Sequence, residues 1–444
     1  MTEQASVLAA PAAAAAGEGK WAVAWLLCAA HAVSFIDRFV MVLVTEPVRA
    51  ALALSDTQLG LLQGTGFALF YCGFAIPLGW AADITNRRNL IIAGLSVWSI
   101  ATAASAFATS FEALFAARIF VGMGEGCLIP AGMSLLTAYF SREQLARGVS
   151  IFGAGANIGH GVAFIGGGAL LSWLTVRGGL ALPGLPVLAP WQATFLVAGL
   201  CAFPVLIMLR SLREPKRSQT ATSIGEHARA FGDAIAYLGR NFSAYGSFFV
   251  VASATATMGY ALMSWSSSIL VRMHGLPVAQ AGMWVGILGI VGGPLGSLAG
   301  GWILDVMTKA RITAAPLVYM AGGAVLCLGL VSGFCFAQRF EVSAACLFAF
   351  CFCTTGMLPA IYVGMQVLTP DSFRGIAASV NMMLYTLAGL GIGPTLVGLL
   401  SDRLRAMQGS IGIALVAAEA VLAAIVIVTT LLARRAFQAK VLPG

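Results

Sequence analysis

Residues 54–83 read LSDTQLGLLQGTGFALFYCGFAIPLGWAAD, and residues 276–305 read LPVAQAGMWVGILGIVGGPLGSLAGGWILD. The second stretch repeats the first at a constant offset of 222 residues, half the length of the 444-residue chain. Seven positions are identical in the two copies, namely Leu54, Gln58, Gly60, Gly64, Gly79, Trp80 and Asp83, which correspond to Leu276, Gln280, Gly282, Gly286, Gly301, Trp302 and Asp305. The constant offset indicates that the chain is a duplication of one structural unit.

The composition places both copies in a membrane. Of the residues, 59% are hydrophobic and 9% are charged, and the mean hydropathy is +0.91. Soluble domains carry about 25% charged residues, so we expect an integral membrane protein. The net charge of +8 comes from basic residues between apolar runs, so nucleic acid is not an expected partner. The nine cysteines include no CxxC pair and no metal-ligand spacing, and we expect neither a metal site nor a cofactor.

Apolar runs predict twelve membrane-spanning helices, because one span needs about 20 apolar residues. The runs cover 22–47, 57–82, 89–108, 112–138, 148–174, 191–210, 243–270, 278–304, 313–336, 342–368, 376–400 and 411–433. Each copy of the repeat then holds six spans in an all-α fold. Such a six-plus-six parallel repeat resembles the major facilitator superfamily, whose halves rock around a site near the midplane of the membrane.

The chain divides into segments with a predicted orientation. The segments are a disordered tail at 1–20, a six-helix bundle at 21–210, a linker at 211–240 with an amphipathic surface helix, a second bundle at 241–434 and a tail at 435–444. With both tails on one side, 17 Lys and Arg fall on that side, 6 on the other and 2 within spans. This bias predicts that both tails are cytoplasmic, in a bacterial inner membrane.

Two spans of the first half carry charges deep inside them, where each charge costs roughly 2.5–3.5 kcal/mol on insertion scales. Asp37 and Arg38 lie in the first span, and Arg118 and Glu125 lie in the fourth. Neighbouring helix positions point about 100° apart, so Asp37 and Arg38 do not pair with each other. Low dielectric disfavours an ionised carboxylate and a nearby arginine favours it. We predict proton coupling by Asp37, Arg38 and Glu125; the alternative is a permanent ion pair that holds the two spans together.

Residues 79–88, GWAADITNRR, resemble a loop signature of the superfamily that follows the second span. Gly79 permits close helix contact, and Asp83 can sit at the positive N-terminus of another helix. Arg87 and Arg88 can bridge the two halves. The second copy keeps the glycine and the aspartate, so the predicted gating residues are Gly79, Asp83, Arg87, Arg88 and Asp305.

Polar and aromatic side chains inside spans are candidates for lining a cavity between the halves. The fifth span is dense in glycine, but no strand precedes it, so it is not a nucleotide-binding fingerprint. Asn157 and His160 lie one turn apart on this span, and helix packing is an equal alternative for both. Trp265 can instead be an interfacial anchor. The candidates for substrate contact are His31, Arg118, Asn157, His160, Tyr260, Trp265, Tyr362, Gln366, Asn381 and Tyr385.

Several motifs resemble those of Spinster-type major facilitators. They are Ser34-Phe-Ile-Asp37-Arg38, Arg118-x-x-x-Gly122-x-Gly124-Glu125, Gly155-Ala-Asn-Ile-Gly159-His160-Gly161, His274-Gly275-Leu276, Gln280-Ala-Gly282 and Gly389-Leu-Gly391-Ile-Gly393-Pro394-x-x-x-Gly398-x-x-Ser401-Asp402. The resemblance covers nearly the whole chain after residue 25. It implies transport of a lysolipid or sphingoid lipid and, from bacterial members, proton coupling. Asp37, Arg38 and Glu125 match the charged residues of that group.

We therefore expect a proton-coupled secondary transporter that works as a monomer by alternating access. Its expected cargo is a lysophospholipid-like amphipathic lipid. The alternative cargo is a small carboxylate or aromatic acid, because similar charges occur in proton-coupled organic-anion symporters, where Arg118 would help to hold the carboxylate. A non-transporting receptor on the same fold is a more remote alternative. An enzyme is not expected, because the spans contain no nucleophile–base set or metal cluster.

Overall fold

The computed structural model describes residues 19–184, 186–215 and 224–441. Nearly all of the tail expected at 1–20 lies outside these residues, as do 216–223 of the linker and the last three residues. The secondary structure of the described chain is helical, apart from one isolated β-bridge between Leu180 and Leu188.

Twelve helices of the described chain are long and apolar enough to cross a membrane, which confirms the predicted fold class. They are called spans 1 to 12 and cover Lys20–Leu43, Asp56–Ile84, Arg87–Phe107, Phe111–Tyr139, Glu143–Val176, Pro190–Ser211, Phe242–His274, Val278–Lys309, Ala315–Phe336, Phe340–Leu368, Asp371–Arg403 and Ser410–Phe437. A short helix, Thr45–Leu52, follows span 1, and the helix Ile224–Arg240 precedes span 7. The helix of span 5 starts earlier than predicted, because charged residues continue it beyond the apolar run.

Three spans contain a π-helical turn, at Leu61–Thr65 in span 2, Val162–Gly166 in span 5 and Leu387–Ile392 in span 11. A π turn inserts an extra residue into the helical ladder and is frequent at functional sites. All three lie where the two six-helix halves meet, since span 2 packs on span 11 and span 5 packs on span 8.

Glycines of the sequence repeat make these two contacts close. A Cβ atom on Gly60 of span 2 would lie 2.6 Å from the carbonyl oxygen of Pro394 in span 11. A Cβ atom on Gly286 of span 8 would lie 2.8 Å from Cβ of Phe164 in span 5. The counterpart of Gly286 in the repeat is Gly64 of span 2, where a Cβ atom would overlap the carbonyl oxygen of Leu390 in span 11. These two repeated glycines therefore occupy equivalent contacts between the halves.

Charged groups tie the halves together on one face of the molecule. The face at which span 1 begins is here called the tail face, and the other is called the opposite face. On the opposite face, Arg272 donates to both carboxylate oxygens of Asp56 and to Glu46, each at 2.8 Å. Asp402 accepts from the backbone N–H groups of Asp56 and Thr57, at 3.0 and 2.7 Å, where the helix dipole of span 2 favours an anion. The halves are therefore closed against each other on the opposite face.

Candidate functional site

An ion pair between spans 1 and 4 is the centre of the candidate site. Arg38 Nη2 donates to Glu125 Oε2 at 2.6 Å, and Ser34 Oγ donates to the same oxygen at 2.7 Å. The two donors lie one turn apart on span 1, which brings both to one carboxylate. Glu125 ends the helical segment Phe111–Glu125, and a turn at Gly126–Cys127 interrupts span 4 directly after it. The carboxylate is therefore held at a break in the helix.

Aromatic rings surround the Arg38 guanidinium. Its Cζ lies 4.8 Å from the ring centre of Phe35, 4.6 Å from that of Phe67 and 5.6 Å from that of Tyr71. Cation–π contacts of this kind stabilise a cation by about 0.5–2 kcal/mol without using its N–H donors. Arg38 Nε has no hydrogen-bond partner among the described residues. The guanidinium is thus held in place with donor capacity left for another anion.

Asp37 faces away from this pair, as the helix geometry predicts. It is fully buried, and neither carboxylate oxygen has a hydrogen-bond partner in the described part of the chain. Arg118 Nη1 donates to the main-chain carbonyl of Asp37 at 3.1 Å, and its charge interacts with both Asp37 and Glu125. The three residues predicted to couple protons thus form one ion pair and one separate buried acid.

Small residues bring spans 2 and 3 close to Glu125. A Cβ atom on Gly124 would lie 2.7 Å from the Gly94 carbonyl oxygen and 2.9 Å from the backbone nitrogen of Trp98, both in span 3. Gly122 packs in the same way against the backbone of span 2. The glycines beside Glu125 therefore let two helices enclose the carboxylate.

A cavity of about 200 Å³ lies between the halves. Phe35 connects it to the ion pair, because its ring both lines the cavity and contacts Arg38. Tyr260, which also lines the cavity, lies 222 residues after Arg38 and is its counterpart in the repeat. The lining is amphipathic, with Phe35, Phe39, Leu262, Met263, Phe350 and Leu358 beside Asn157, His160, Tyr260, Thr354, Thr355 and Tyr385.

Four of the residues predicted to contact substrate line this cavity, namely Asn157, His160, Tyr260 and Tyr385. The His160 ring centre lies 4.7 Å from that of Phe39 and 4.9 Å from that of Phe164. Its Nε2 has no hydrogen-bond partner among the residues that the structure describes. The rings of Tyr260 and Tyr385 lie 6.5 Å apart. These side chains give the cavity its polar groups.

Two other predicted substrate contacts are helix-packing residues. Trp265 is fully buried, and its Nε1 donates to the Pro394 carbonyl at 3.0 Å, so it joins span 7 to span 11. His31 Nδ1 lies 3.0 Å from the Phe152 carbonyl oxygen and its ring stacks on Phe152, so it joins span 1 to span 5. Neither residue lines the cavity, and neither is an interfacial anchor.

The remaining four predicted contacts also lie outside the cavity lining. Arg118 is 2% exposed and bonded to the backbone of Asp37, and it is not among the residues that line the cavity. Asn381 is buried in span 11, and Tyr362 and Gln366 are exposed on span 10. Their contact with substrate stays a prediction, because a polar residue in a span does not reveal which helix face meets the cavity.

The predicted gating arginines are bonded within the first half and the segment that follows it. Arg87 Nε donates to Glu214 at 2.7 Å, and its Nη1 donates to the Ser134 carbonyl at 3.1 Å. Arg88 Nη1 donates to the Leu212 carbonyl at 3.0 Å. These bonds tie span 3 to span 4 and to the segment after span 6, so they do not form the expected bridge between halves. The other predicted gating residues lie at the tail-face ends of spans 2 and 8 and are Gly79, Asp83 and Asp305.

The sequence reading missed several buried groups. Glu419 of span 12 is fully buried, and neither of its oxygens has a partner among the described residues. The rule that singled out Asp37, a charge within an apolar run, applies equally to Glu419. No local signal links Arg272 to Asp56, because they lie 216 residues apart and meet only when the halves close.

The architecture and the site define a membrane transporter built from two six-helix halves around a central cavity. A family model described as the Major Facilitator Superfamily matches residues 26–394. The chain belongs to this superfamily, and it is a transporter rather than an enzyme.

Similar proteins agree with this assignment. Relatives include an MFS-type efflux pump of Mycolicibacterium smegmatis, 23% identical over 86% of this chain and 85% of that protein. Protein spinster homolog 1 of Mus musculus is 25% identical over 86% of this chain and 72% of that protein. A gallate transporter of Pseudomonas putida is 26% identical over 78% of this chain and 78% of that protein. The crystal structure of a bacterial homolog of the human lysosomal transporter Spinster, inward-facing and unoccupied, has a TM-score of 0.77 at 24% identity, over 95% of this chain and 97% of that one. The predicted resemblance to Spinster-type proteins is confirmed.

Proposed function

We propose that the chain is a proton-coupled transporter that carries a lysophospholipid-like amphipathic lipid by alternating access. It lies in a bacterial inner membrane with its tail face in the cytoplasm, acts as a monomer and uses protons without a cofactor. The observation that carries the proposal is the Arg38–Glu125 pair at the edge of an amphipathic cavity.

Glu125 is the proton carrier nearest to the cavity in this proposal. Ionised Glu125 neutralises Arg38, and a proton on Glu125 removes that negative partner. The planar guanidinium then offers its N–H donors to a phosphate or carboxylate group, which it binds in a bidentate manner. Glu125 and an anionic headgroup compete for one cation, so the binding of a proton and the binding of substrate favour each other.

The shape of the cavity suits the headgroup of an amphipathic lipid. Its volume of about 200 Å³ is smaller than the ~300–1,000 Å³ of pockets that enclose whole drug-sized ligands. The headgroup therefore occupies the cavity near Arg38, and the acyl chain extends beyond it. Phe39 and Phe350 offer apolar contacts to the part of the chain next to the headgroup.

The closed opposite face supports alternating access. Arg272 and Asp56 join the halves there and separate the cavity from that face. In the proposed cycle the cavity in this conformation exchanges with the tail face. The Lys and Arg bias assigns the tail face to the cytoplasm. The similar bacterial structure is likewise described as inward-facing.

The proposal is tested by substrate-dependent thermal stabilisation and by transport in proteoliposomes, each at an acidic and a neutral pH. We expect a lysophospholipid to stabilise the purified protein, because a ligand stabilises the state it binds. Glu125→Gln and Asp37→Asn should abolish transport driven by a pH gradient while the folded protein is retained. Glu112→Gln is the matched control, because Glu112 is an exposed carboxylate on the same span. Loss of folded protein in Glu125→Gln would support a permanent Arg38–Glu125 ion pair instead.

A small aromatic acid is the second candidate cargo. The cavity is small, and the chain is similar to a gallate transporter. Arg38 rather than Arg118 is then the group that holds the carboxylate, because Arg38 contacts Phe35 of the cavity lining, whereas Arg118 is 2% exposed and bonded to the backbone of Asp37. Stabilisation by gallate alone, lost in Arg38→Gln, would replace the lipid with this cargo.

A further inference from the structure

Asp37 lies in a compartment that is separate from the cavity. Its side chain is fully buried and does not line the cavity. Neither carboxylate oxygen has a hydrogen-bond partner at normal geometry among the described residues. Buried polar groups in proteins are nearly always hydrogen bonded, so the surroundings of this carboxylate should contain its donors.

Two donors of span 3 interact with the Asp37 carboxylate outside normal hydrogen-bond geometry, namely the indole N–H of Trp98 and the hydroxyl of Thr102, which lie one turn apart. Both side chains are fully buried, and neither donor has another acceptor within the described chain. Buried threonines elsewhere, such as Thr255 and Thr369, donate to the carbonyl one turn earlier in their own helix. The Thr102 hydroxyl does not do so, and it remains available for Asp37.

Charged and titratable groups from the adjoining spans complete the compartment. The Arg118 guanidinium and the Glu125 carboxylate interact with Asp37 from span 4, and the thiol of Cys201, an exposed residue of span 6, interacts with it electrostatically. Arg118 Nε and Nη2 have no hydrogen-bond partners among the residues described. Arg118 interacts with both acids, so it is the physical link between Asp37 and the ion pair beside the cavity.

We propose that Trp98 and Thr102 are positioning residues for a second proton site at Asp37. This inference rests on the proposed proton coupling. Their N–H and O–H groups stabilise the ionised carboxylate, since hydrogen bonds to the charged form of an acid favour that form. In the transfer step an O–H bond on Glu125 breaks, water relays the proton and an O–H bond forms on Asp37. Trp98 and Thr102 then lose their anionic acceptor, and Glu125 is the only one of the two acids that still offers Arg118 a negative charge.

The test follows the protonation of Asp37 itself, by infrared difference spectroscopy of the purified protein during a pH titration. The carboxylic acid band that disappears in Asp37→Asn reports this site. Thr102→Val removes the hydroxyl at constant shape, and we expect it to move the half-titration of the band upward by about one pH unit, the size of one charge-assisted hydrogen bond. Trp98→Phe should move it in the same direction, and Thr102→Ser should restore the wild-type value.

Ser105→Ala is the matched control, because the Ser105 hydroxyl is buried in the same span but donates to the Ala101 carbonyl. An unchanged band in both Thr102→Val and Trp98→Phe, or an equal shift in Ser105→Ala, would overturn the inference whatever the transport assays show. A band that depends on Thr102 in a protein whose transport ignores the pH gradient would uphold the inference and overturn the proposed function instead.

Discussion

Arg38 contacts both the Glu125 carboxylate of the ion pair and Phe35 of the cavity lining. Three aromatic rings fix its guanidinium, and Glu125 takes only part of its donor capacity. A lysine would lose the flat stacking surface and the paired N–H groups that suit a phosphate or a carboxylate. The guanidinium therefore stays in place, and what changes during the proposed cycle is which anion accepts hydrogen bonds from its N–H groups.

Polar groups that line the cavity are expected to set substrate affinity. Tyr385→Phe removes one hydroxyl from the lining, and we expect the KM of the transported substrate to rise roughly two- to tenfold, the effect of one hydrogen bond. Transport kinetics in proteoliposomes measure it. Tyr319→Phe is the same change on span 9, outside the lining, and should leave KM unchanged. Equal effects of the two substitutions would contradict this assignment of the cavity.

At the residue scale, the sequence predicted charges better than neutral polar groups. A charge in an apolar run is stabilised by an opposite charge, and helix geometry separates adjacent positions, so the contact of Arg38 with Glu125 and the different direction of Asp37 were foreseeable. Neutral polar residues have no such constraint. Trp265 and His31 bind backbone carbonyls of neighbouring spans. Their residue types alone do not distinguish this packing from substrate contact.

At the scale of elements, the helix ends on the opposite face determine which conformation is held. Arg272 lies at the end of span 7 and Asp402 at the end of span 11, both in the second half. Asp56 starts span 2 in the first half. Arg272 binds the Asp56 carboxylate, and Asp402 binds the N-terminus of span 2. Asp56 is buried by this contact. Removing Arg272 would leave this buried carboxylate with only the 3.5 Å contact to Arg49 and the hydrogen bond from Ser401, at a cost of up to about 3–5 kcal/mol, the range for breaking a buried ion pair.

Arg272→Gln should therefore open the opposite face. Spin labels at the exposed positions Ala50 and Met407, placed in a background without native cysteines, report the distance between the halves on that face. We expect a longer distance to become populated in Arg272→Gln. Arg49→Gln is the control, because Arg49 pairs with Asp56 within the first half at 3.5 Å. An unchanged distance distribution in Arg272→Gln would mean that packing alone closes this face.

At the scale of the whole molecule, the duplication repeats contacts as well as helices. Gly64 packs against span 11 and its counterpart Gly286 packs against span 5, so the same glycine contributes one side of each contact. The twelve spans and the two halves could be predicted from hydropathy and from the 222-residue offset. The partners of the repeated glycines and the closed face could not be predicted from the sequence, because both depend on how the two halves pack against each other.

Gly60→Ala should weaken the contact between spans 2 and 11, because the new Cβ would lie 2.6 Å from the Pro394 carbonyl oxygen. We expect the same lengthening between labels at Ala50 and Met407, together with slower transport. Gly73→Ala in the same span is the control, since nothing lies within 4 Å of its Cβ position and alanine favours a helix by about 1 kcal/mol. If the distance between the labels is the same in Gly60→Ala as in the wild type, this role for the repeated glycine is contradicted.

The depth of Asp37 has an electrical consequence for the proposed cycle. Asp37 lies about 26 Å along span 1 from Lys20 and about 9 Å from Leu43, at 1.5 Å per residue. A proton that travels between Asp37 and the tail face therefore crosses most of the membrane and most of its voltage. Moving one elementary charge through 100 mV changes its energy by about 2.3 kcal/mol. The resting potential of the cell, and not only the pH difference, then biases the occupancy of this acid and the speed of the cycle.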